Sequence, residues 1–188
     1  AHLVTFTADL WLERSQGFPV DGAEHRLFRF DSVYYLQIAE SGYAYDGDPG
    51  SSPNIVFMPL FSLETRIVSW VPGLSMIRAG FLINQISFLL GTLLIAMFLQ
   101  REYGMKTALI AVAGLGFSAG SFAFHAFYSE GTMLFWLGLS FYCMQRRWDY
   151  GMAASAAILS ASRTTAAPFC LFFSLVLLSR IWELYRQP

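Results

Sequence analysis

The chain has 188 residues, of which 55% are hydrophobic and 13% are charged, and its net charge at pH 7 is −1. A soluble globular domain carries about 25% charged residues, so this chain is too poor in charge to cover an ordinary water-facing surface. The near-neutral charge, with no basic tail or stripe, argues against nucleic-acid binding. The composition therefore predicts an integral membrane protein.

The N-terminal part of the chain is predicted to be a short apolar segment followed by a loop. Leu3-Val4-Thr5-Phe6 is typical of the end of a transmembrane helix, and the chain is expected to be an incomplete N-terminal portion of a longer protein. Turn formers and acidic residues predominate in residues 14–58, for example in Asp46-Gly47-Asp48-Pro49-Gly50. Residues 14–58 are therefore predicted to form an aqueous loop on the outer side of the membrane.

A short helix is predicted inside this loop, from Asp31 to Ala39. Asp31 or Ser32 can serve as the N-cap, and Gly42 fits the position just after the C-terminus. The residues between are too apolar for an isolated helix in water. The segment is therefore predicted to lie along the membrane interface.

About five membrane spans are predicted within residues 79–182. The spans cover residues 79–99, 107–124, 131–144, 150–161 and 165–181. About 20 apolar residues are needed to cross the hydrocarbon, which suits the first of them best. An earlier apolar stretch, residues 57–70, is interrupted by Glu64 and Arg66 and is expected to lie at the membrane edge. The predicted fold is all-α: a polytopic helical bundle that forms a single transmembrane domain over residues 1–188.

The short turns between these spans indicate an orientation. Six Lys or Arg residues fall in the turns on one side, and one, Arg163, falls on the other. Basic residues in short loops favour the cytoplasmic side. The Asp31 helix, the turn at Glu130 and Arg163 are then all predicted to lie on the outer face.

Gly116-Phe117-Ser118-Ala119-Gly120 matches the G-x-S-x-G pattern of a nucleophile elbow. That motif acts at a strand-to-helix turn, whereas these residues are predicted to lie inside an apolar helix. The same residues match G-x-x-x-G, which lets helices pack closely, and we interpret them in that way. His2, His25 and His125 lack metal-ligand spacing, so no metal site is predicted.

Four segments together resemble a known family. Phe30 to Tyr43 resembles the first luminal loop of the PIG-V family, the relatives of GPI mannosyltransferase II, with the pattern W-D-x-x-Y-Y-x-x-I-A-x-x-G-Y. Phe57-Met58-Pro59-Leu60-Phe61 resembles its F-x-P-L-x-P element. Phe127-Tyr128-Ser129-Glu130 and Ser162-Arg163-Thr164 look like its Y-S-E and S-x-R-[ST] elements. Phe30 replaces the usual Trp, and Ser62 replaces the second Pro.

The resemblance implies a GT-C fold and a mannosyltransferase. Such enzymes move mannose from a polyprenyl or dolichyl phosphate to an acceptor hydroxyl, with inversion. Asp31 matches the first-loop acid and would be the catalytic base. Arg163 would stabilise the departing phosphate. The other candidates for substrate binding are Arg29, Tyr34, Tyr35, Tyr128 and Glu130.

The expected partners are a polyprenyl or dolichyl phosphate sugar, membrane lipids, and a glycolipid or protein acceptor. No cofactor is predicted, and a requirement for a divalent metal is left open. The protein is expected in a bacterial inner membrane or the endoplasmic reticulum, with its active site on the periplasmic or luminal side. The alternative is a non-enzymatic polytopic protein: a transporter, a scramblase or an assembly subunit.

Overall fold

A computed structural model describes residues 27–28, 30–45, 47 and 54–186 of the chain. Within these ranges the backbone forms helices and turns and no β-strand, as the composition predicts. The α-helices are α1 (Ser32–Ser41), α2 (Leu60–Val68), α3 (Met76–Tyr103), α4 (Met105–Phe117), α5 (Glu130–Gln145), α6 (Asp149–Ser160) and α7 (Ala167–Arg186). Short 3-10 helices lie at Asn54–Val56, Ala119–Phe124 and Thr164–Ala166.

Helix α1 is the short helix predicted in the loop, displaced by one or two residues. It ends at Gly42, whose φ of 82° is readily adopted by glycine and whose N–H donates to the carbonyl of Ile38. Asp31 occupies the N-cap position, but its side chain makes no capping hydrogen bond to α1. Tyr35 and Leu36 are buried where α1 packs against α2 and α3. The apolar side of α1 is therefore covered at least partly by the protein itself.

Among the described residues, two helical segments are long and apolar enough, by length and composition, to cross a membrane. They are Met76–Tyr103, with a mean hydropathy of 2.0, and Thr164–Arg186, with 1.6. Only 11% of the most apolar window of each is buried inside the fold. Large apolar side chains such as Leu89 and Leu93 are 68% and 56% exposed, and apolar surface on this scale is rare in soluble monomers.

The other three predicted spans correspond to shorter helices. Helix α4 has 13 residues, α5 has 16 and α6 has 12. At about 1.5 Å per residue, none reaches the roughly 30 Å of a typical hydrocarbon core. Length and composition therefore single out two of the five predicted spans.

The second predicted span is corrected by the structure. Helix α4 ends at Phe117, because the backbone turns to an extended conformation at Ser118 (ψ 154°) and then forms a 3-10 helix up to Phe124. The prediction that the G-x-S-x-G residues lie inside one helix is therefore wrong. These glycines do not pack against the described part of the chain either: a Cβ added at Gly116 or Gly120 would meet none of its atoms within 4 Å.

Close packing by glycine occurs between α3 and α5 instead. A Cβ at Gly91 would lie 2.7 Å from the backbone of Leu134 and Phe135, and a Cβ at Gly138 would lie 3.0 Å from the carbonyl oxygen of Gly91. Only glycine lets the two backbones approach so closely. This contact forms the centre of the described bundle.

The ends of α3, α5 and α7 meet at one end of the bundle, which we call the basic end. Gln145 donates a hydrogen bond of 2.7 Å to Glu102. Arg180 forms an ion pair with Asp149, and its Nη2 donates to the carbonyl of Met144 at 2.7 Å. The turns predicted to share the cytoplasmic side thus lie together, at the end of α5 opposite Glu130.

Candidate functional site

The four segments that carry the family resemblance meet at the other end of the bundle. The hydroxyls of Tyr35, on α1, and Ser129, just before α5, share a hydrogen bond of 2.8 Å. Ser62, on α2, donates from its hydroxyl to the carbonyl of Tyr35 at 2.8 Å. All three residues are buried. These bonds fix the first loop segment against the second and third.

The fourth segment is attached in the same region. The N–H of Leu60 donates to the carbonyl of Ala161 at 3.0 Å, which joins the start of α2 to the end of α6. Two residues later, Arg163 forms an ion pair with Glu130, with Nη1 and Oε1 2.6 Å apart. The same Nη1 lies 3.4 Å from the hydroxyl of Ser129. Segments more than 100 residues apart in sequence therefore share one polar cluster.

Asp31 belongs to this cluster through its charge. It is half-buried at the start of α1, and its carbonyl accepts from the N–H of Tyr35 at 3.2 Å. Burial raises the pKa of Glu130, the positive charge of Arg163 lowers it, and the negative charge of Asp31 raises it again. The charges of Asp31 and Arg163 thus act on Glu130 in opposite directions. We call Asp31, Glu130 and Arg163 the carboxylate–arginine cluster.

The ion pair leaves part of Glu130 unsatisfied. Its Oε2 is buried and has no hydrogen-bond partner among the described residues. A buried acceptor without a donor is costly, and such groups are unusual enough to call for an explanation. Because Arg163 engages Oε1 only, Oε2 remains an acceptor at the centre of the predicted site.

The predicted tyrosines play different structural parts. Burial raises the pKa of the Tyr35 phenol, which is held by Ser129 inside the cluster. Tyr34 stacks on Phe57, with ring centroids 4.8 Å apart, and lies beside the cluster. Tyr128 is buried, its ring edge-on to Phe122. Arg29 lies outside the described residues.

Glu64 is a half-buried acid that the sequence did not single out as a site residue. Its carboxylate accepts from the hydroxyl of Thr132 at 2.8 Å and from the indole N–H of Trp136 at 3.1 Å. Burial raises its pKa, and the two hydrogen bonds lower it. The sequence feature that could have identified Glu64 was the presence of an acidic residue in the apolar stretch 57–70. Its contacts, with residues 68 and 72 positions away, could not be inferred.

An open apolar cavity of about 470 Å³ lies at the same end of the bundle as the cluster. Its lining consists of Leu27, Leu74, Arg78, Phe81, Leu82, Gln85 and His125. Phe81 packs against Phe127, which precedes the Tyr128-Ser129-Glu130 turn. The described residues contain no group of three His, Cys, Asp or Glu that could hold a metal ion.

No family model, curated protein or solved structure matches the chain. In the part of the chain that the structure describes, the fold is all-helical, two helices are long and apolar enough to cross a membrane, and a carboxylate–arginine cluster lies at one end. The resemblance to the PIG-V family rests on the four motifs and stays a prediction.

Proposed function

We propose that the protein is a multi-pass membrane glycosyltransferase. It moves a sugar, mannose by the family resemblance, from a polyprenyl or dolichyl phosphate to an acceptor hydroxyl. The observation that carries the proposal is the Glu130–Arg163 ion pair, which is linked through Ser129 and Tyr35 to the helix that begins just after Asp31. An acid beside an acid–arginine pair offers a base and a phosphate-binding cation in one place.

The proposed reaction is a single inverting displacement. The acceptor oxygen attacks the anomeric carbon from the face opposite the phosphate, and the bond from that carbon to the phosphate oxygen breaks. The acceptor proton passes to the carboxylate of Asp31, and the electron pair of the broken bond leaves with the phosphate. Base assistance of this kind contributes about 10²–10⁴-fold to rate.

Arg163 is the proposed partner of the departing phosphate. The Arg163 side chain is 26% exposed, and the hydrogen bonds that its guanidinium makes to the described residues use Nη1. A guanidinium carries five N–H donors, so the pair with Glu130 fixes the group while further donors can face a ligand. A cation placed in advance lowers the cost of the negative charge that gathers on the phosphate.

The membrane setting supports a lipid-borne donor. The apolar cavity beside the cluster suits a polyprenyl chain, with Arg78 and His125 at its wall. The basic end lies at the opposite side of the bundle, so the positive-inside rule favours a cytoplasmic basic end and a periplasmic or luminal cluster. The donor head group would then reach the cluster from the outer leaflet.

The proposal is tested with purified full-length protein in proteoliposomes. Radiolabelled polyprenyl phosphate mannose is supplied with a glycolipid acceptor mixture and, separately, a peptide mixture. We expect the label to move to one acceptor class, with the anomeric configuration inverted. Movement of intact donor across the bilayer without consumption would instead identify a scramblase or transporter, and retention of configuration would exclude the single displacement.

A further inference from the structure

Asn84 makes three hydrogen bonds to the segment that carries Glu130. It lies on α3 and is fully buried. Its Nδ2 donates to the carbonyls of Ala123 and Ala126, at 3.1 and 2.7 Å. Its Oδ1 accepts from the N–H of Gly131 at 2.8 Å. One side chain therefore holds both ends of the turn that contains Tyr128, Ser129 and Glu130.

The bond to Gly131 replaces a cap that α5 does not make for itself. The first N–H groups of a helix have no partner within the helix, and the N-cap side chain usually satisfies one of them. Ser129 is the N-cap of α5, but it makes no capping bond; its hydroxyl bonds with Tyr35 instead. Asn84 thus frees Ser129 to join the cluster, and it does so from a different helix.

The close approach of α3 makes this arrangement rigid. A Cβ at Gly131 would lie 2.3 Å from both the carbonyl oxygen and Oδ1 of Asn84. One turn earlier on α3, a Cβ at Gly80 would lie 2.1 Å from the ring of Phe127. The face of α3 that carries Gly80 and Asn84 therefore contacts the turn directly. The turn has little room to move while Asn84 is in place.

We propose that Asn84 is a positioning residue, which sets the turn so that Glu130 meets Arg163. This inference rests on the proposed glycosyl transfer for its effect on rate, but not for its effect on structure. A polar side chain buried in an apolar helix is costly in a membrane and is a functional candidate by default. Loss of its three bonds would release the turn and loosen the Glu130–Arg163 pair.

The structural half is tested by amide hydrogen exchange of the full-length protein in nanodiscs. Asn84→Leu removes all three bonds at similar volume, and Asn84→Asp keeps an oxygen acceptor but loses both donors. We expect exchange at the Gly131 N–H to accelerate at least tenfold in Asn84→Leu and to stay slow in Asn84→Asp. Gln100→Leu, which alters an exposed amide near the other end of α3, should leave Gly131 protected. Unchanged exchange in Asn84→Leu would overturn the inference.

The functional half is tested by transfer kinetics. We expect both Asn84 variants to lower kcat by on the order of 10²-fold, with KM changed much less, and Gln100→Leu to behave as wild type. If Asn84 acts through Glu130, adding Asn84→Asp to Glu130→Gln should cause little further loss. Normal kcat in the variants, or additive losses, would contradict the positioning role. Absence of transfer by the wild type would refute the proposed function alone, since exchange at Gly131 still decides whether Asn84 holds the turn.

Discussion

Arg163 and Glu130 pair in a partly buried setting, with exposed side-chain fractions of 26% and 24%. The pair is not a symmetrical stabilising contact, because burial disfavours the charge on Glu130 more than Arg163 favours it. A paired charge that remains costly is more typical of functional sites than of surface ion pairs. Because burial and the charge of Arg163 oppose each other at Glu130, substitutions of Glu130 and of Arg163 are expected to change the stability by different amounts.

Arg163→Gln should destabilise the protein more than Glu130→Gln. Removal of the guanidinium leaves a buried carboxylate without its cation, which costs about 1–3 kcal/mol. An amide at position 130 can still accept from Nη1 and carries no charge to desolvate, so its cost should be smaller. Thermal unfolding in detergent measures both variants, and the reverse order would contradict this view of the pair.

Glu64 should make stability depend on pH. Burial raises its folded-state pKa above the ordinary value of 4.5, so the folded protein holds this proton more tightly than the unfolded chain. Stability from this group is fully present below pH 4.5 and is lost as pH rises through the folded-state pKa. Glu64→Gln should therefore lose less stability than the wild type between pH 4.5 and 7.5.

Unfolding temperatures across that pH range provide the measurement. Glu40→Gln changes an exposed acid on α1 and should keep the wild-type slope. A Glu64→Gln slope equal to that of the wild type would show that Glu64 is not the group that titrates.

The sequence could predict candidate residues that belong to motifs, but it could not predict residues whose role depends on distant contacts. Asp31, Glu130 and Arg163 could be chosen because each stands in a recognisable pattern with a chemical role. Asn84 is one amide in a long apolar helix, and its partners lie 39 to 47 residues away. Such a contact depends on how two helices pack, which no local pattern records.

At the scale of the helices, local signals predicted α1 well and the end of α4 poorly. Gly42 ends α1 by adopting a positive φ, and this is a property of the residue itself. Helix α4 was predicted to continue to residue 124 because the apolar composition continues. It stops at Phe117, in a run of small residues that includes Gly114 and Gly116. Glycine has a low helix propensity and no side chain that could pack against a neighbouring helix.

The glycines provide a direct test of the helix packing. Gly131→Ala places a Cβ 2.3 Å from Asn84 and should cost about 1–3 kcal/mol through overpacking. Gly116→Ala places its Cβ in open space within α4 and should stabilise by about 0.5–1 kcal/mol, because alanine favours the helix. Chemical or thermal unfolding of the two variants should give opposite signs. Equal effects would contradict the α3–α5 contact.

For the whole molecule, the order of the predicted spans separated the basic turns from Glu130 and Arg163, and the structure has these groups at opposite ends of the bundle. One end holds the carboxylate–arginine cluster beside an apolar cavity, and the basic end holds the Arg180–Asp149 pair. Composition could not provide this arrangement, since it follows from the order and direction of α5, α6 and α7. The proposed function needs this separation, because transfer occurs at one face of the bilayer.

The initial rate of sugar transfer by Asp31→Asn in the full-length protein tests the central claim most directly. Asparagine keeps the shape of the side chain but cannot take the acceptor proton, so we expect transfer to fall by at least about 10²-fold with expression and membrane insertion intact. Glu40→Gln, on the same helix, should transfer at the wild-type rate. Near-normal transfer by Asp31→Asn would contradict the assignment of Asp31 as the base.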